Sequence, residues 1–138
     1  MITIVPDSGS YIQNGQIRSS GGYYDSANSL FKQGTWRSGK LHGASCKSTD
    51  YSGNMVDIRS GPYNIGKENG TITEYVFPKS SWLTFIASPP AGVAATKYVQ
   101  VYTNGVLSST TSTSSVNIKG DITYNVNGYI NSFTFNEV

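Results

Sequence analysis

The chain has 138 residues, only 13% of them charged, and a net charge of +2. So few charges, with no basic run, exclude a nucleic-acid reader; a hydrophobic share of 37% excludes a disordered tail, and apolar runs of a few residues exclude a membrane-spanning helix. One cysteine, Cys46, and one histidine, His42, exclude an internal disulfide and a multi-cysteine zinc site, so no metal or cofactor is expected.

Ser, Thr, Asn and Gly make up 59 of the 138 residues, Tyr contributes 10, and there are only 4 Leu and 3 Glu. Helices want Ala, Leu, Glu and Lys, whereas pleated sheets want Thr, Tyr, Val, Ile and Phe. The composition predicts an all-β chain rich in turns, and the length suits a single domain over residues 1–138. Met1–Asp7 carries no positive charge ahead of its apolar residues, so no signal peptide is expected in this chain.

In chain order, Ser10–Gln13 and Gln16–Arg18 read as a hairpin on Asn14-Gly15, a dipeptide that tolerates positive φ at both central positions of a type I′ turn. Residues 19–66 alternate poorly and read as Gly, Ser, Asn and Tyr loops. Within them, Asp25–Lys32 reads as one or two helical turns capped by Asp25, and only Asn54–Ile58 reads as a strand. Asn69-Gly70-Thr71 matches a glycosylation acceptor but coincides with a turn signal, and the turn is preferred. Thr71–Phe77 alternates, with Ile72 and Val76 on one face and Tyr75 and Phe77 on the other. Trp82–Ala87 is apolar on both faces except at Thr84 and reads as a central covered strand, with Trp82 in the core. Pro89–Gly92 is a loop.

Tyr98–Thr103 and Val106–Leu107 form a hairpin on Asn104-Gly105, and Ile122–Val126 and Tyr129–Phe135 another on Asn127-Gly128. Between these hairpins, Ser108–Ser115 reads as a solvated strand edge or loop. Six strands are expected after Gly70 and eight to ten in all. With no long amphipathic helix to cover a sheet, the expected architecture is an antiparallel two-sheet β-sandwich or jelly roll, with at most one short helix near residues 25–32.

Motifs for bond-making chemistry are weak. Gly34–Leu41 has the spacing of a phosphate-binding loop, but Leu41 stands where the magnesium-holding Ser or Thr belongs, and no strand precedes it. His42, Cys46 and Asp50 would share a face only on a helix that Gly43 and the following Ser-Thr run oppose. Asp25, Asp50, Asp57, Glu68 and Glu74 are the acids available to a glycosidase, but spacing fixes no pair of them. Loop aromatics are the most suggestive feature. Tyr23, Tyr24, Trp36, Tyr51 and Tyr63 lie beside Arg37 and other polar groups, and flat rings with neighbouring charges bind sugars or protein partners. Tyr23, Tyr24, Trp36, Arg37, Tyr51 and Tyr63 are therefore the candidate ligand- or partner-binding residues.

Tyr98–Leu107 resembles a hairpin of lectin-like sandwiches of the laminin-G and concanavalin type, and Gly128–Val138 resembles the closing strand of galactose-binding-like jelly rolls. The composition as a whole resembles small bacteriophage virion proteins such as tail-tip adhesins, fibre domains and capsid decorations. That resemblance implies a non-enzymatic structural or attachment protein of the virion, or one otherwise extracellular after release. Its implied partners are other virion proteins or a surface glycan, with neither nucleic acid nor membrane insertion, and a homotrimer is among the implied assemblies. A stand-alone carbohydrate-binding module is the alternative, and a small hydrolase using His42 or an acid pair is the third reading.

Overall fold

The computed structural model describes residues 5–6, 20–25, 30–37, 40–50, 52–124 and 129–138. These form strands β1 (Val5–Pro6), β2 (Ser20–Asp25), β3 (Leu30–Arg37), β4 (Lys40–Leu41), β5 (Gly43–Asp50), β6 (Met55–Asn64), β7 (Lys67–Glu68), β8 (Gly70–Pro78), β9 (Val93–Thr103), β10 (Val106–Tyr124) and β11 (Tyr129–Glu137). Hydrogen bonds join them in the order β1-β11-β10-β9-β8-β6-β5-β3-β2, with β4 on β3 and β7 on β6. All these pairings are antiparallel except that of β1 with β11.

The described strands make one continuous sheet, curled into a half-barrel, where the sequence suggested two stacked sheets. The curl provides the cover that a second sheet would otherwise supply. It brings β11 back across the inner face. The Phe135 ring meets Tyr75 of β8 edge-on at 5.0 Å, and Lys47 Nζ of β5 lies 4.8 Å from the Phe135 centroid. Glu137 accepts hydrogen bonds from Tyr75 Oη and Lys97 Nζ, each at 2.7 Å. Inside the curl, Phe31, Val56, Ile58, Tyr75, Phe77, Val93, Ala95 and Ile118 form the main core. Their burial follows the period-2 alternation of β6 and β8, which places Ile58 opposite Tyr75 and Val56 opposite Phe77. The expected faces of Thr71–Phe77 are those observed.

A short helix completes this core, and it lies at Trp82–Ile86, not near residues 25–32. Asp25 and Leu30–Lys32, read as parts of a helix, belong to β2 and β3, and residues 26–29 lie outside the described residues. The apolar run at 82–87, read as a covered strand, has a second periodicity. Trp82, Phe85 and Ile86 stand at i, i+3 and i+4 and so fall on one helical face, while Leu83 is 61% exposed. Proline decides between the two patterns. Pro78 ends the β8 ladder opposite Met55, and the chain turns through a 3₁₀ segment, Lys79–Ser81, into the helix. Phe85 packs on Phe77 at 4.9 Å and on Trp82 at 5.7 Å; Trp82 itself is half-buried at the core margin.

Other expectations shift as well. Residues 19–66, read mostly as loops, contain β2 to β6. From Gly70 onward the described residues form four strands, β8 to β11, where six were expected. The Asn104-Gly105 hairpin is present, with φ of +47° and +83° and Thr103 paired to Val106. The hairpin on Asn14-Gly15 and the turn at Asn127-Gly128 lie outside the described residues. Asn69 is a break in the ladder between β7 and β8, its N–H bonded to Pro62 O, and the actual turn is Asn64–Lys67.

That turn places Ile65 at φ +46° and Gly66 at +83°. A β-branched residue in the left-handed region is strained by roughly 1–2 kcal/mol, whereas Asn at the same position of a type I′ turn is not. Ile65→Asn is expected to raise stability by about 1 kcal/mol, seen as a higher midpoint in thermal unfolding followed by circular dichroism. An unchanged or lower midpoint would show that the strain is relieved elsewhere.

Candidate functional site

The outer face of the sheet carries a second, smaller core at one end. Trp36, Leu41, Cys46, Tyr63, Ile72 and Tyr102 are all buried there. The β3–β4 hairpin, with Trp36 opposite Leu41, supplies its lid. Glycine allows the bend beneath it. Gly61 stands opposite Cys46 at φ +146°, and a Cβ there would sit 2.7 Å from Thr71 O. His42 locks the same corner. Its Nδ1 accepts the Ile65 N–H at 3.1 Å, its own N–H donates to Thr35 O, and its carbonyl accepts from Thr35 Oγ1.

The candidate binding residues separate accordingly. Trp36 and Tyr63 come together, but as packing residues, 7% and 5% exposed, which leaves no ring face for a sugar to stack on. Arg37 is exposed beside them at the hairpin end, opposite Lys40 in the register. Tyr23 and Tyr24 occupy β2 positions opposite Lys32 and Phe31, and Tyr51 lies outside the described residues. His42 and Cys46 are also committed to structure. The buried Cys46 Sγ lies 3.9 Å from Thr35 O and 3.8 Å from Gly43 O, and burial pushes its thiol up, away from the thiolate a nucleophile requires.

The chemically distinctive part of the outer face lies next to this small core. Two rungs of the sheet build it. One runs Ser48, Arg59, Glu74, Tyr98, and the next runs Asp50, Asp57, Val76, Thr96 and Ser115. Arg59 is the hub. Its Nε contacts Glu74 Oε2 at 3.0 Å, and its terminal nitrogens lie 3.7 Å from Asp57 Oδ2 and 3.9 Å from Glu68 Oε1. Its guanidinium also sits 5.9 Å from the Tyr102 ring centroid. Burial works against this cation, but Asp57 and Glu74 more than offset it and hold the guanidinium further above its usual range.

One guanidinium does not balance the acids around it. Asp50 and Asp57 stand directly opposite each other, a like-charge pair that a sheet ordinarily avoids. Asp50 is held by Ser52, whose N–H and Oγ donate to its Oδ1 at 2.8 and 2.6 Å. Asp57 has no such donors, and its Oδ1 is buried without a hydrogen-bond partner. Burial, then hydrogen bonding and repulsion from Glu74, push Asp57 up to about 7. A proton on Asp57 replaces the repulsion between its carboxylate and that of Glu74 with a hydrogen bond between the two groups. Ser48, Asp50, Asp57, Arg59 and Glu68 line a cleft of about 210 Å³ here.

Beyond Asp57 the face becomes apolar. Met55, Val76, Pro78, Ala94 and Thr96 line an open groove of about 450 Å³ that continues to Ser115 and Asn117. Met55 is 45% exposed, so the groove presents hydrophobic surface to solvent. Asp57 faces Val76 across the strands, which joins cleft and groove into one strip.

No family model matches this chain, and neither a curated protein nor a solved structure matches it.

Asp57, Glu68 and Glu74 were among the acids considered from sequence, but their convergence on Arg59 was not foreseen. The missing information was register. With the turn at Ile65-Gly66 and a break at Asn69, Arg59 falls opposite Glu74. The spacing Asp57–Arg59 already put both on one face of a strand. Three or more His, Cys, Asp or Glu placed to hold a metal ion are not found among the described residues. No helix among them is long and apolar enough to cross a membrane.

Proposed function

We propose that this chain is a contact protein, an attachment or decoration component of a bacteriophage virion, working through protein contacts on its outer face. The virion assignment draws on the Ser-, Thr-, Asn-, Gly- and Tyr-rich, charge-poor composition. The contact mode draws on one observation: the exposed apolar groove at Met55, Val76, Pro78 and Ala94 runs into a cleft whose acids outnumber its single guanidinium. Apolar centres with polar rims are the anatomy of protein interfaces. The excess of carboxylates selects a partner segment with apolar side chains beside a basic one.

The hydrolase reading gains little from the same geometry. Carboxyls close enough to share a proton, as Asp57 and Glu74 are, leave no space for a glycosidic bond, which needs about 5–10 Å between its acids. The carbohydrate reading loses the rings of Trp36 and Tyr63 to packing.

Immunogold labelling of density-banded particles, raised from cells that carry the gene, tests the assignment. Labelled particles are expected, with labelling lost for Met55→Glu, a change at an exposed position. Particles that remain bare while the protein stays in the soluble fraction would overturn the assignment. Sugar binding on a glycan array with bare particles would replace it with the carbohydrate-binding reading.

A further inference from the structure

Three turns meet at one end of the sheet. His42 Nδ1 accepts the Ile65 N–H and Leu41 O accepts the Gly66 N–H, which ties the β3–β4 hairpin to the turn after β6. Glu68 O accepts the Gly105 N–H and Asn69 Oδ1 accepts the Asn104 N–H, which ties that turn region to the β9–β10 hairpin. Each tip is thus held by bonds to its neighbour.

The side chains at these tips run in one line. Arg37 stands opposite Lys40. The Lys40 stem lies against Gly66, where a Cβ would sit 3.2 Å from Lys40 Cδ, and the Lys67 stem lies against Gly105, where a Cβ would sit 3.4 Å from Lys67 Cβ. Val106 and Leu107 follow Gly105 and are 67% and 47% exposed. Arg37, Lys40 and Lys67 are exposed too, and no acid among the described residues forms an ion pair with any of them. Glu68, next to Lys67, has its carboxylate 3.9 Å from Arg59. Arg37 opposite Lys40 is a like-charge pair, unfavourable unless an anion lies across it. The net charge of +2 less these three cations leaves −1 for the rest of the chain, so the positive charge is concentrated at this end.

We infer that this end docks on the surface of an anionic lipid bilayer, with Arg37, Lys40 and Lys67 at the headgroup phosphates and Val106 and Leu107 at the acyl boundary. Charge and apolarity together select that occupant. Unpaired cations call for an anion, but a soluble polyanion would leave Val106 and Leu107 in water. A lipid interface takes both, with phosphate at the surface and hydrocarbon just beneath it. Projecting hairpin tips also suit a soft surface that yields to them, whereas a protein partner would need a matching hollow. The contact is peripheral and requires no spanning segment. It uses the hairpin tips and not the groove, so it stands or falls separately from the virion assignment.

The test is co-sedimentation of the purified chain with vesicles of phosphatidylcholine alone and of equal parts phosphatidylcholine and phosphatidylglycerol. Wild type is expected to pellet with the mixed vesicles only, and less as salt is raised. Lys40→Gln with Lys67→Gln is expected to weaken binding roughly twentyfold, at roughly fivefold for each cation. Lys40→Arg with Lys67→Arg is expected to bind as wild type does. Val106→Ser keeps every charge and is expected to weaken binding roughly tenfold. The changed side chains are exposed, so circular dichroism spectra are expected to be unchanged. Failure of wild type to pellet with the mixed vesicles, equal pelleting with phosphatidylcholine alone, or full binding by the Lys→Gln variant would each overturn the inference. Full binding by Val106→Ser, with heparin displacing the chain from the vesicles, would replace the bilayer with a soluble polyanion.

Discussion

Asp57→Asn is expected to make the protein more stable at pH 8 by about 3 kcal/mol and to change it little at pH 4. The carboxyl sits half-buried opposite Asp50, in reach of Glu74 and beside Arg59, and its pKa is raised from 3.8 to about 7. A group that holds its proton more tightly when folded favours the folded state fully below its unfolded pKa. That contribution is lost as pH rises through the folded value. The window therefore runs from about pH 4 to about pH 8. A rise of that size corresponds to roughly 4 kcal/mol, and residual exposure of the side chain brings the expected loss to about 3.

Asparagine keeps the shape of the protonated acid and a donor for Glu74, but has no proton to lose. The wild type should weaken across this window in urea titrations followed by tyrosine and tryptophan fluorescence, and the variant should weaken less by that amount. Arg59, Glu68, Glu74 and Asp50 face the site from β5, β6, β7 and β8 in both proteins, so the difference between the two curves isolates Asp57. Parallel curves would show that Asp57 titrates as an ordinary surface acid and that the cleft is solvated.

How much of this was legible in the sequence follows from which forces act locally. Turn chemistry and alternation are local, and Asn104-Gly105 and the two faces of Thr71–Phe77 were readable because the side chains themselves impose them. The helix at Trp82–Ile86 was misread because a short apolar run satisfies both periods, and the stop at Pro78 acts through a ladder hydrogen bond that the sequence does not display. Residues 20–50 looked like loops because their strands carry glycine at the bends, at Gly34 and Gly43, and polar side chains where the sheet faces solvent. Curling is a collective property of the sheet. It turned an expected pair of layers into one layer folded over itself, while the β3–β4 hairpin, lying over the outer face, buried Trp36 and Tyr63, which had looked available to a ligand. The charged hub was hidden for a related reason: a strained Ile65-Gly66 turn, not the stronger Asn69-Gly70 signal, sets the register that assembles it.

Arg59→Leu carries the other large expectation, a loss of about 2–4 kcal/mol at pH 7. The guanidinium is the cation that Asp57, Glu68 and Glu74 share, at 3.7, 3.9 and 3.0 Å. Leucine fills part of its volume but leaves those acids facing one another with no counter-charge. Removing one partner of a buried pair typically costs about 3–5 kcal/mol, and solvent reaching the Arg59 side chain lowers that here. The cost should be smaller below the raised Asp57 value of about 7, where that carboxyl holds its proton and one charge fewer is left stranded. The two substitutions should also interact. In an Asp57→Asn background one of the stranded acids is already neutral, so Arg59→Leu should cost less than it does alone, by about 1 kcal/mol or more. A double-mutant cycle from urea titrations at pH 7 measures that coupling. Strict additivity would mean that Arg59 and Asp57 are neighbours in space without sharing charge, and the hub would reduce to the single close contact between Arg59 and Glu74.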